Sequence, residues 1–229
     1  AVIEGSEKPD EYIIISSHLD HEGEKNGVIY NGADDNGSGT IGVLKIAEAF
    51  QNAVLSGYRP KRSIVFLHLT GEEKGLLGSK YYTDNPLYPL ENTMVNLNID
   101  MIGRIDPKHV NNKERYIYLI GTNLLSSELH EISESTNKNT TKLYLDYKYN
   151  YIDQSECIYY RSDHFHFVKN NIPAIFYFNG VHEDYHKPTD TADKIEYKLL
   201  KDRIKLIFYT AWQLANRNKS IEVDKNVDY

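Results

Sequence analysis

Tyr12-Ile13-Ile14-Ile15-Ser16-Ser17-His18-Leu19-Asp20 is a short apolar run that stops at an imidazole and a carboxylate. A run this short and this apolar, over residues 11–17, reads as a strand buried on both faces. The same pattern returns along the chain. Residues 62–70 carry Ser63-Ile64-Val65-Phe66-Leu67 and lead into Gly71-Glu72-Glu73. Residues 93–99 alternate and end at Asp100, and two more strands are predicted at 116–121 and 173–178. Between these runs the spacing predicts helices over 37–56, 76–83, 124–137, 163–170 and 196–216. In the first, Ile41, Leu44, Ala47 and Leu55 form the predicted apolar stripe, and Gly57 stops it. In the last, Leu200, Ile204, Ile207, Ala211 and Leu214 share one side. Strands that alternate with helices predict an α/β fold, a mostly parallel mixed sheet sandwiched between helices. Ligands of such sheets bind outside the carboxyl ends of the strands. His18, Glu72, Glu73 and Asp100 each follow a strand, so one edge can gather them all.

With 229 residues the chain fits one domain with a sizeable core. Its net charge of −7 offers no basic excess for nucleic acid. The 19 tyrosines read as sheet and surface packing rather than a ligand platform. Cys157 is the single cysteine, which excludes an intrachain disulfide, and it reads as a small, partly buried apolar residue. No run approaches the length of a membrane span, and there is no signal peptide. The opening Ala1-Val2-Ile3-Glu4 lacks a starting Met and reads as a mature or trimmed piece of a longer chain. Asn111-Asn112-Lys113-Glu114 reads as a solvated turn, and 138–156 as a long surface loop or an excursion near the site. Nothing in the sequence fixes an oligomeric state.

Metal-type ligands stand at the ends of these runs. They are His18, Asp35, Glu73, Asp100 and His186, with Glu72 left over to move protons. Three carboxylates close together repel one another unless positive charge sits among them. One zinc ion leaves that trio net negative, whereas two zinc ions and a hydroxide bring it to neutrality. The set therefore favours two metals with a shared water, although one metal suffices if a carboxylate is protonated or bonded elsewhere. Imidazole with carboxylate ligation suits zinc, and cobalt or manganese can substitute. Asp20, two residues past His18, reads as the carboxylate that fixes the far ring nitrogen, and Asp190 as the same device for His186. Asp34-Asp35-Asn36 ahead of Gly37-Ser38-Gly39 supplies either a helix N-cap or a carboxylate that bridges two cations. Glu72-Glu73 is either a charged turn into a helix or a ligand beside a base, and Asp100 by itself also fits a turn cap. Seven other histidines, His21 and His182 among them, read as surface or satisfied core. His164, in Arg161-Ser162-Asp163-His164, is the one of these to watch.

The ordered set Ser17-His18-Leu19-Asp20, Gly32-Ala33-Asp34-Asp35-Asn36-Gly37-Ser38-Gly39, Gly71-Glu72-Glu73, Asn98-Ile99-Asp100-Met101-Ile102-Gly103, Arg161-Ser162-Asp163-His164 and Tyr185-His186 through Asp190-Thr191 resembles the zinc aminopeptidases of the M28 peptidase family, of the aminopeptidase Y/S type. The likeness runs from about His18 to Ile195. It implies the zinc-exopeptidase (phosphorylase/hydrolase-like) architecture and a single catalytic domain over 1–229 that lacks the helices preceding the first strand in family members. It implies two zinc ions, one on His18 and Asp100, the other on Glu73 and His186, with Asp35 as the bridge and a cis peptide after it. Asp34 is then only a neighbour. Glu72 is the implied general base and Tyr185 the oxyanion donor. The implied reaction is removal of N-terminal residues from peptides with a free amine, in a secreted or periplasmic setting. A glutaminyl-cyclase-like acyltransferase with one zinc, a carboxypeptidase or dipeptidase of the same family, and a non-enzymatic metal-stabilised interaction domain are the competing readings. Walls of the specificity pocket are expected from 144–160 and 176–182.

Overall fold

The computed structural model describes residues 1–110, 115–151 and 156–227. The expected turn at 111–114 lies outside them. Strand β1 (Val2–Ile3) is followed by β2 (Lys8–His18), a small hairpin of β3 (Glu24–Lys25) and β4 (Val28–Ile29), and helix α1 (Gly39–Leu55). Next come β5 (Arg62–Leu69), α2 (Leu77–Asp84), β6 (Thr93–Ile99), β7 (Tyr116–Ile120), α3 (Ser127–Asn139) and β8 (Tyr144–Asp146). The chain then forms α4 (His164–Lys169), β9 (Ala174–Phe178) and α5 (Tyr197–Asn216). The sheet order is β1-β5-β2-β6-β9-β7-β8. Strands β5, β2, β6 and β9 run parallel, β1 and β7 run antiparallel to their neighbours β5 and β9, and β8 is parallel to β7. This is the mostly parallel mixed sheet that the sequence predicts.

Strand pleating decides which face each side chain serves. Ile13 and Ile15 of β2 join Ile64, Phe66, Val95 and Leu97 under α1 and α5. Ile14, one step out of phase, joins Val65 and Phe167 on the opposite face, beside α2 and α4. Helices α1, α3 and α5 pack together on the first face. The predicted stripe of α1 is corrected here. Val43, Ile46 and Phe50 face the core, while Ile41, Leu44 and Leu55 are exposed. The larger aromatic wins the buried side, where Phe50 packs on Phe66, Phe208 and Trp212. Helix α3 starts three residues later than predicted because the Ser126 hydroxyl accepts the Leu129 N–H and caps it.

Of the expected loop at 138–156, residues 152–155 lie outside the described residues, and the part before them is not a plain loop. The Asn137 amide bonds both the N–H and the C=O of Leu143, which turns the chain back so that β8 pairs with β7. Cys157 is exposed, contrary to its reading as partly buried. Among the described residues no helix is long and apolar enough to cross a membrane.

Arg203 of α5 is fully buried and donates to three backbone carbonyls, those of Tyr116, Ile102 and Arg104, at 2.9, 2.8 and 2.7 Å. It therefore pins α5 to β7 and to the turn after β6. Arg203→Met would strand these acceptors in a dry interior. The expected loss is about 3 kcal/mol or more by urea unfolding, summing modest penalties per carbonyl. A loss below about 1 kcal/mol would contradict that account.

Candidate metal centre

The carboxyl ends of β2, β5 and β6 deliver His18, the Gly71-Glu72-Glu73 turn and Asp100 to one edge of the sheet. Asp35 arrives from the irregular turn Ala33–Ser38 ahead of α1, and His186 from the segment after β9. His18 Nε2 lies 3.3 Å from Asp100 Oδ1 and 3.4 Å from Asp35 Oδ1. His186 Nε2 lies 3.0 Å from Asp35 Oδ2 and 3.2 Å from Glu73 Oε2. Asp35 thus turns one oxygen to each imidazole. The Asp35–Asn36 peptide is cis.

The turn that carries Asp35 is tied down on several sides. The Asn36 side chain donates to Ile99 O and accepts from the N–H groups of Gly39 and Met101. A side chain at Gly39 would run into Asn36 and the Ile99 backbone, so glycine lets α1 start close under the site. Asp34 is more than a neighbour: its Oδ1 accepts from Ser38 Oγ and the Gly103 N–H, and its Oδ2 lies 3.1 Å from His182 Nε2.

Asp20 and Asp190 do not sit where the sequence placed them. His18 Nδ1 meets the backbone carbonyl of Asp20 at 3.0 Å, while the Asp20 carboxylate is 3.8 Å away and accepts the N–H groups of Glu72 and Glu73. Two residues past a strand the chain has already begun to turn, so the carbonyl rather than the side chain faces back. Asp190 Oδ2 accepts the N–H groups of Asp34 and Asp35 and so holds the bridge rather than His186. The group beside His186 Nδ1 is Glu22, at 3.6 Å. Sequence reasoning missed Glu22, and it missed His21, whose Nδ1 is 2.9 Å from Glu73 Oε1. Their one signal was position, immediately after His18-Leu19-Asp20. Ser162 was also missed as a support. Its hydroxyl donates to Asp100 Oδ2 at 2.6 Å.

The electrostatics ask for cations. A carbonyl only accepts, so His18 Nδ1 carries its proton toward Asp20 O, and Nε2 must face two carboxylates with a lone pair or a second proton. Burial alone would lower His18, yet Asp100 and Asp35 raise it well above the usual imidazole value. Asp35 and Glu73 hold His186 at about 10. Burial and the charge of Asp100 push Glu72 up to about 9. Burial also raises Asp100, against the pull of His18. Without other positive charge the cluster gathers protons, and divalent cations would replace them. Among the described residues, three sets of donors lie close enough to share an ion: His18-Asp35-Asp100, His21-Asp35-Glu73 and Glu22-Glu73-His186.

A small cleft opens onto Asp35, Glu72 and Asp100. Met101, Ile158, Phe176, Phe178 and Val181 form its apolar wall, with Tyr185 and Arg161 beside them. Phe176, Phe178 and Val181 of this wall come from 176–182, and among the described residues of 144–160 Ile158 lines it. The Tyr185 ring stacks on His186 with centroids 3.9 Å apart, and burial followed by Asp35 and Asp100 raises its phenol, so the O–H is kept. His164 takes no part in the cluster. It is fully buried, stacks on Phe176 at 5.0 Å, and burial lowers it to about 3.

The family model of peptidase family M28 matches residues 1–211. The chain is 29% identical over 225 residues to the "Probable leucine aminopeptidase" of Arthroderma otae, covering 95% of this chain and 57% of that protein. It is 36% identical over 100 residues to the "Probable glutamate carboxypeptidase VP8" of Zea mays, which covers 43% of this chain and 13% of that protein. Among solved structures, it superposes on the zinc aminopeptidase BSAP from Bacillus subtilis with a TM-score of 0.74 at 23% identity, over 96% of this chain and 50% of that one. The corresponding figures for LapB from Legionella pneumophila are 0.75, 23%, 92% and 53%. These two likenesses establish the fold. The chain spans little more than half the length of the full-span curated relatives it matches.

His164 gives a pH test of the packing beside this site. Its folded pKa of about 3 lies below the ordinary 6.5, so its contribution is intact above 6.5 and is lost as pH falls toward 3. Urea unfolding of the wild type and His164→Phe should show the stability difference shifting by roughly 2–3 kcal/mol toward the variant between about pH 6.5 and about pH 4.5. A pH-independent difference would contradict a neutral, buried imidazole.

Proposed function

Because the chain belongs to peptidase family M28, we propose that it is a zinc-dependent aminopeptidase, with two zinc ions held by His18, Asp35, Glu73, Asp100 and His186. The observation that carries this reading is Asp35, whose two oxygens face two separate imidazole–carboxylate pairs. His18 and Asp100 would hold one ion, Glu73 and His186 the other, and Asp35 both. Zinc there would supply Lewis acidity, lowering the pKa of water and polarising a carbonyl.

The remaining roles belong to the chain. Glu72 lines the cleft beside Asp35 and Asp100, and with cations in place of the protons gathered there its carboxylate is ionised and free to act as a base. It accepts the proton of the attacking water and passes it to the leaving amine. Tyr185 keeps its O–H and donates to the carbonyl oxygen as charge develops. The apolar wall from Met101 to Val181 receives the side chain of the first residue, and the nearby carboxylates attract its free amine. Export to a secreted or periplasmic setting is part of the same proposal, by family likeness.

A carboxypeptidase reading has one foothold, the Arg161 guanidinium at the cleft, which suits a substrate carboxylate. Digestion of a peptide library followed by mass spectrometry separates the two. Loss of residues from amino ends supports the proposal, and loss from carboxyl ends overturns it. On an aminoacyl-nitroanilide, Glu72→Gln should keep its zinc and lose about 10²–10⁴-fold in kcat. A fully active, zinc-loaded Glu72→Gln would remove Glu72 as the base.

A further inference from the structure

The segment after β2 brings a third imidazole to the second metal position. His21 is nine-tenths buried, and its Nδ1 lies 2.9 Å from Glu73 Oε1 and 4.0 Å from Asp35 Oδ2. These donors stand close enough to surround one ion. Glu73 thereby has an imidazole at each oxygen, since its Oε2 faces His186, and the two rings meet edge-on with centroids 5.8 Å apart.

At 2.9 Å the two atoms are at ion-pair distance. His21 Nδ1 and Glu73 Oε1 are both buried polar atoms without a hydrogen-bond partner, and His21 Nε2 has none either. A protonated ring would satisfy Glu73 there, and a shared cation would satisfy both atoms at once. Ligands of one tetrahedral zinc, each about 2.0–2.1 Å from the ion, lie roughly 3.3 Å from each other. The 2.9 Å to Glu73 is shorter than that and the 4.0 Å to Asp35 longer, so the donors of His21, Glu73 and Asp35 bracket the spacing an ion would set. The residues on either side of His21 are themselves anchored. Asp20 bonds the Glu72 and Glu73 N–H groups, and Glu22 stands beside His186 Nδ1 and pairs with Lys25.

We propose that His21 is a protein ligand of the second zinc, together with Asp35, Glu73 and His186. The proposal rests on the two-zinc reading above. It makes the two positions unequal. Four protein groups would enclose the second ion, whereas His18, Asp35 and Asp100 would leave the first with an open place for water or substrate. The second position should therefore fill first and hold its ion more tightly.

A crystal structure of the wild-type chain loaded with zinc tests this directly. The expected result is two ions, one of them about 2.0–2.1 Å from His21 Nδ1. Two ions with the His21 ring beyond about 3 Å, bonded to Glu73 instead, would overturn the proposal and leave the two-zinc reading intact. A single ion would overturn both. In solution, cobalt titration of His21→Ala should lower the affinity of the tighter site at least ~10-fold and change its visible absorption, with the weaker site unmoved. An unchanged spectrum would count against ligation.

Discussion

Asp35, Glu73 and Asp100 are buried within reach of one another, and their charge must be met by something other than water. The imidazoles of His18 and His186 meet it in part, and a proton on Glu72 meets part of the rest. Buried charge is tolerated only when paired. The site is therefore a demand for cations written into the fold. The sheet creates that demand by ending β2, β5 and β6 at one edge, so that residues far apart in sequence converge there.

Much of the surrounding structure keeps those groups from relaxing apart. A line of buried polar contacts runs through the sheet to the site: Asn96 donates to Ser16, Ser16 to Asn98, Asn98 to Ser162, and Ser162 to Asp100. Asn36 locks the Asp35 turn to the end of β6, and Asp190 holds the backbone of Asp34 and Asp35. Supports of this kind fix ligand orientation, and their loss weakens a metal site without removing a donor. They explain why so many asparagine, serine and aspartate side chains lie in an interior that aliphatic residues would otherwise fill.

The sheet was legible because its strands are short apolar runs that end in polar residues. The ligand candidates were legible because they stand at those ends. What stayed hidden depends on local turns. Asp20 and Asp190 were assigned to imidazoles by spacing, but backbone N–H groups claimed their carboxylates once the chain turned. His21 and Glu22 lack any periodic signal, and only the fold brings them against Glu73 and His186. In α1 a count of apolar residues chose Ile41 and Leu44, whereas packing volume chose Val43, Ile46 and Phe50.

The measurement that bears most directly on this account is calorimetric titration of the metal-stripped chain with zinc, beside Asp35→Ala. The account predicts two ions per wild-type chain and weakened binding at both positions in the variant, because one carboxylate serves both. A wild type that takes up a single ion, or an Asp35→Ala chain that binds two ions as tightly as before, would contradict it.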